Sequence, residues 1–122
     1  MEEVVDLNDE LKLVNQPWHP LIVGEANGQY IKIAKGTGSL EWHSHDSEDE
    51  VFLCLEGCLL IEMRDKKVQL RPGQMFTVLK GVEHRPKALP EASFLLFEPK
   101  STEHLGGIES ANTVNIEEQL KD

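Results

Sequence analysis

Apolar and polar positions alternate along this chain, or run apolar over short stretches, and Gly or Pro interrupts them roughly every eight to twelve residues. That pattern predicts a β-sandwich or barrel, and helix signals are scarce. Strands are predicted over 29–35, 39–45, 50–55, 58–63, 74–79 and 93–98, opened by a shorter stretch at 21–23. Glu56-Gly57 lies between two apolar runs and reads as a two-residue hairpin turn, Gly supplying the positive φ. The polar run Arg64-Asp65-Lys66-Lys67 predicts a hairpin loop, and Arg71-Pro72-Gly73 a turn. The barrel core spans about 21–99, and a polar tail follows over about 106–122, with at most a short helix within 117–122.

Strand alternation sorts side chains onto two faces. From Glu50, one face carries Glu50, Phe52 and Cys54, and the other carries Val51, Leu53 and Leu55. The first face points inward. In a simple Glu56-Gly57 hairpin Ile61 opposes Phe52 and Met63 opposes Glu50, so Phe52, Cys54, Ile61 and Met63 are the expected pocket lining. The second face is wholly apolar and is joined by Leu40 and Trp42 from the preceding strand. Such a patch is too large for a soluble monomer to leave bare, which predicts a homodimer, although another strand of the same chain could supply the cover.

Five histidines occur: His19, His43, His45, His84 and His104. On a strand, His43 and His45 project from one face about 7 Å apart at the backbone, close enough for two imidazoles to chelate one ion. Glu50 returns after an acidic turn and could supply charge compensation, and His84 could close the shell from a distant strand. Imidazole with carboxylate suits Fe, Mn, Zn, Ni, Co or Cu better than Ca or Mg. Glu41 shares the His43 face and is a candidate general base, a support for the site, or an outward salt-bridge partner. Arg85 should point away from His84. His19 and His104 read as structural or surface residues.

At 122 residues the chain fits one domain, large enough to hold a core without a disulfide or metal staple. Twelve Lys and Arg against 22 Asp and Glu give a net charge of -10, which disfavours nucleic acid as a partner. No apolar run reaches the ~18 residues of a membrane span. The N-terminus is acidic where a signal peptide would be basic, so a cytoplasmic location is expected. In that setting Cys54 and Cys58 should be reduced, with Cys54 acting as a small hydrophobe.

The stretch His43-Ser44-His45, four residues, Glu50, six residues, Gly57 resembles the first motif of the cupin superfamily. Gly36 and Gly38 flank Thr37, where the motif has its leading Gly. Gly73, Leu79, Gly81 and His84 resemble the second motif, with Leu79 in place of Pro and Ala88 in place of Asn. The resemblance covers about 36–88 and has the short spacing of small single-domain microbial cupins. It implies an all-β, double-stranded β-helix or jelly-roll barrel with short N- and C-terminal extensions. It also implies one divalent transition metal on His43, His45, Glu50 and His84. The family's range implies a small-molecule partner: an enzyme of isomerase or dioxygenase type on a sugar or keto acid, or alternatively a non-catalytic ligand-binding module.

Overall fold

The alternating stretches form six strands, and the polar ends form two short helices. The structure is a computed structural model that describes residues 3–106 and 113–120. The remaining parts of the predicted polar tail, 107–112 and 121–122, lie outside the described residues. In chain order the elements are α1 (Leu7–Leu11), β1 (Leu21–Ala26), β2 (Gln29–Ser39), β3 (Glu50–Met63), β4 (Lys67–Leu70), β5 (Met75–Val78), β6 (His84–Pro99) and α2 (Ile116–Gln119). The sheet order is β1-β2-β6-β3-β4, with β5 pairing with β3, and every pairing is antiparallel. No helix among the described residues is long and apolar enough to cross a membrane. The architecture is the expected all-β barrel.

The predicted hairpin at Glu56-Gly57 does not form. Instead β3 runs through it as one strand of 14 residues, paired with β6 on both sides of the turn residues. The register shifts between Cys54 and Glu56 and again between Gly57 and Leu59, so the segment is bulged and does not reverse. Gly57 takes φ 76°, which serves a bulge as well as a turn. The bulge also changes the parity of the buried face: Glu50, Phe52 and Cys54 before it, then Leu59, Ile61 and Met63 after it. Ile61 therefore opposes Pro86 and Val68, and Met63 opposes His84, in place of the expected Phe52 and Glu50.

Two other strand predictions change. The strand expected over 39–45 is the end of β2 followed by irregular chain, in which His43 bridges to His84. Gly38 turns the backbone there with φ 66°, at the register shift between Thr37 and Ser39. β6 begins at His84 and not at 93, although Pro86 and Pro90 argue against a strand from sequence.

Two clusters make the core. The interior one joins Trp18, Leu40, Phe52, Cys54, Ile61, Met63, Phe94 and Leu96 with their neighbours. Outside the sheet, Leu11, Val14, Val23, Ile33 and Leu95 form a second cluster, against which Leu53, Leu55 and Phe97 pack. The chain's own α1 region and β1 thus cover much of the apolar face expected to be bare. Asp6 caps α1 by accepting from the Asn8 and Asp9 N–H groups, which fixes that cover locally. Leu40 belongs to the interior and not to the outer patch. Trp42 is not bare either, since Arg64 and Arg85 lie 3.8 and 5.1 Å from its ring centroid.

Candidate metal centre

His43 and His84 meet through a pair of backbone bonds: the His43 N–H donates to the His84 carbonyl at 3.0 Å, and the His84 N–H returns to His43 at 2.8 Å. The chain between Gly81 and His84 is tied to the acidic turn at two more points. The Gly81 N–H donates to the His45 carbonyl at 2.8 Å, and the Lys80 N–H donates to the Asp49 carboxylate at 2.8 Å. Glu50 starts β3 immediately after that turn. Four side chains from three parts of the sequence are so delivered to one place.

Each is buried, and one ligand atom from each of His43, His45, Glu50 and His84 lies within 4.8 Å of every other. Four ligands about 2.0–2.2 Å from a zinc-like ion in tetrahedral coordination stand about 3.4 Å apart, a spacing that the His84 and His45 Nε2 distances to Glu50 Oε1, 3.4 and 3.6 Å, already approach. The His43 and His84 Nδ1 atoms lie 2.9 Å from the Glu41 and Val82 carbonyls, which accept from protonated Nδ1 and leave Nε2 as the lone-pair donor in each ring. The Nε2 atoms of His45 and His84 approach Glu50 Oε1 at only 3.6 and 3.4 Å. Both His45 ring nitrogens, His84 Nε2 and Glu50 Oε1 are buried without a hydrogen-bond partner among the described residues. Buried polar atoms left unpaired are costly, and one cation would satisfy His84 Nε2, Glu50 Oε1 and one nitrogen of His45 together. These four residues could hold a metal ion.

Burial, followed by the neighbouring His84, lowers the His43 pKa from 6.5 to about 4. The imidazole is therefore neutral and available as a ligand near neutral pH. In metal-free protein the same shift destabilises the fold on acidification, because the unfolded chain takes up the proton first. Above about pH 6.5 it costs nothing, and up to about 3 kcal/mol is lost as pH falls to about 4. Melting temperatures of chelator-treated protein should drop across that window, and His43→Gln should flatten the drop. Burial pushes Glu50 upward, but the Glu98 carboxyl, His45 and His84 outweigh it and hold Glu50 well below the usual carboxylate range. Burial and then the Glu50 charge hold Glu98 well above that range, with the Lys32 ammonium opposing them.

The centre opens on a cavity of about 20 Å³, room for about one water. His43, Glu50 and Phe52 line it, with Trp18, Leu40, Phe94 and Leu96 as apolar walls. Cys54, Ile61 and Met63 are buried in the interior cluster but are not among the residues lining this cavity. Glu41 contributes its backbone carbonyl to His43 and is likewise not part of the lining. His19 lies outside, its Nε2 3.3 Å from the Glu118 carbonyl. Arg85 turns outward and donates to Glu62 at 2.9 Å.

Three residues escaped the sequence reading. His104 also lines the cavity, its Nδ1 accepting from the Val114 N–H at 3.1 Å. Nothing in its polar surroundings marks it, because the Val114 segment that orients it lies ten residues on. Lys32 and Glu98 form a buried ion pair, Nζ to Oε1 2.6 Å. The parity of 30, 32, 34 on β2 and 94, 96, 98 on β6 was the available signal for these two.

A family model described as a cupin domain (Cupin_2) matches residues 29–104. An uncharacterized protein from Bacillus subtilis (strain 168), YdbB, is 35% identical over 98 residues, covering 80% of this chain and 79% of that one. Among solved structures, a cupin-2 domain containing protein from Shewanella frigidimarina NCIMB 400 superposes with a TM-score of 0.77 at 40% identity, over 80% of this chain and 95% of the other. Protein NMB1881 from Neisseria meningitidis gives a TM-score of 0.73 at 29% identity, over 80% of this chain and all (100%) of the other.

Proposed function

We propose, from the premise that this chain belongs to the cupin-domain family, that it is a metal-dependent enzyme acting on a small, oxygen-rich metabolite such as a sugar or keto acid. One divalent transition metal would be held by His43, His45, Glu50 and His84. The observation that carries this reading is the convergence of four buried ligand atoms within 4.8 Å, several of them unpaired. A bound ion of this kind supplies Lewis-acid polarisation or activation of dioxygen. The chain's own part is to keep the His43 imidazole neutral, orient His43 and His84 through the Glu41 and Val82 carbonyls, and exclude water with Trp18, Phe52, Phe94 and Leu96.

The apolar walls of the cavity support dioxygenase-type chemistry. Isomerisation needs an acid–base group beside the metal; Glu41, the candidate from the sequence, is not part of the lining, and His104 is the ionisable side chain there that would have to serve. The second reading is a non-catalytic ligand-binding module. The test is metal analysis of protein purified without chelator or added ions. Iron at about one per chain is expected; zinc, manganese or nickel would move the reading to isomerisation or binding, and no metal would refute it.

A homodimer and a cytoplasmic setting belong to the same proposal. Two free cysteines, Cys54 and Cys58, support a reducing compartment. Val51, Leu53, Leu55 and Phe97 remain only half-buried, and Leu13 beside α1 is 62% exposed, which supports pairing through this face. Light scattering should give about twice the 13.8 kDa chain mass. A concentration-independent monomer at micromolar concentration would refute it.

A further inference from the structure

The cavity at the four candidate ligands, about 20 Å³, admits about one water, whereas a site for a sugar or keto acid needs about 300 Å³ or more. The chain that follows β6 helps to close it. His104 lines the cavity, and Leu105 beside it is fully buried in the interior cluster. Gly106 seats its backbone on Ser44, between two of the candidate ligands: a Cβ added at Gly106 would overlap the Ser44 carbonyl oxygen. A second layer holds this turn from outside. The Val114 N–H donates to His104 Nδ1 at 3.1 Å, Gln119 Nε2 donates to the Val114 carbonyl at 2.9 Å, and the Glu118 carbonyl lies 3.3 Å from His19 Nε2. The family match ends at His104, so most of this cover lies beyond it.

Little ties the cover to the sheet. Among the described residues, no backbone-to-backbone hydrogen bond joins 103–106 or 113–119 to a strand, and the Gly106 N–H turns back to the Glu103 carbonyl at 3.0 Å. Thr102 Oγ1 and Gln119 Oε1 are buried without a hydrogen-bond partner among the described residues. Such atoms gain bonds to water once exposed, which lowers the cost of opening. The chain leaves β6 through Lys100 and Ser101, both exposed, which places a hinge outside the packed core. A segment held by side-chain packing opens locally at a fraction of the cost of global unfolding.

We propose that residues 102–106 and 113–119 form a displaceable cover over the metal centre, and that ions and small metabolites reach His43, His45, Glu50 and His84 when it lifts. This rests on the metal-binding reading above.

The test measures Zn²⁺ release from the loaded chain to excess chromogenic chelator, and Zn²⁺ uptake by the metal-free chain. Gly106→Ala unseats the cover from Ser44 and touches none of the four ligands. Release and uptake should both become at least about tenfold faster, with affinity within about threefold of the parent. Gly73→Ala is the control, since Gly73 has φ 86° with nothing within 4 Å of the added carbon, and it should keep the parent's rates. Parent-like rates in Gly106→Ala would overturn the proposal. So would faster release with unchanged uptake, which would make the segment a support for the ligands and not a gate. Should Gly106→Ala lose its melting transition, Val114→Pro decides by the same two rates, because it withdraws only the N–H that holds His104. If the parent took up no Zn²⁺, the metal-binding reading would fail and this inference with it, whereas tight binding with parent-like rates in both variants would remove the inference alone.

Discussion

Replacing His84 by Ala is expected to remove most of the bound metal while leaving the barrel folded. His84 is fully buried at the start of β6, where it bridges to His43 and contributes one of the four converging ligand atoms. Free energies of about 10–16 kcal/mol for four-ligand zinc sites imply roughly 3 kcal/mol per ligand, or roughly 100-fold in affinity. The backbone bonds between residues 43 and 84 do not depend on the imidazole. A 122-residue core does not need the ion as a staple, so the variant should keep a cooperative melt. His19→Ala and His104→Ala serve as controls. The first ring touches the Glu118 carbonyl; the second lines the cavity but lies outside the four-residue set, so both variants should retain metal. Full occupancy in His84→Ala, or loss in His104→Ala, would overturn the ligand assignment.

Gly57→Ala is expected to be severely destabilising. Gly57 has φ 76°, and a Cβ built there would overlap the Glu91 carbonyl oxygen on the paired strand β6. The left-handed backbone costs about 1–3 kcal/mol for a residue with a side chain, and forcing β6 away from the bulge adds about as much again. Together that is a large part of the roughly 5–15 kcal/mol that holds a domain folded. The midpoint of melting should fall by more than about 10 °C. Gly28→Ala separates the two causes, because Gly28 has φ 75° with nothing within 4 Å of the added carbon. It should show only the backbone cost, about 1 kcal/mol. Equal losses at the two positions would show that the close approach of β6 is not what makes Gly57 necessary.

Much of the site was legible because ligand spacing is a local property. His43 and His45 were placed on one face by strand alternation, and both are buried in the cluster, although the chain around them is irregular and not a strand. An extended backbone turns neighbouring-but-one side chains the same way, whether or not it belongs to a sheet. What holds the extension is the bridge to His84, 41 positions away by residue number, which no local pattern shows.

Alternation, the Gly and Pro punctuation and the two histidine-bearing stretches therefore determined the fold class, the inward-facing residues of β3 as far as Cys54, and the four candidate ligands. Tertiary pairing decided the rest. Glu56-Gly57 has the same local chemistry in a hairpin and in a bulge, and only β6 lying alongside both halves of β3 selects the bulge. That choice leaves Leu59, Ile61 and Met63 on the inner face, as the hairpin register would, but against different partners. It also removes the expected pairs of Ile61 with Phe52 and Met63 with Glu50. Coverage of Leu53 and Leu55 by the α1 region, and the Lys32–Glu98 ion pair, likewise join segments tens of residues apart. Side-chain periodicity reports which face a residue takes; what lies opposite that face is set by long-range register, and that is decided only when the strands pair.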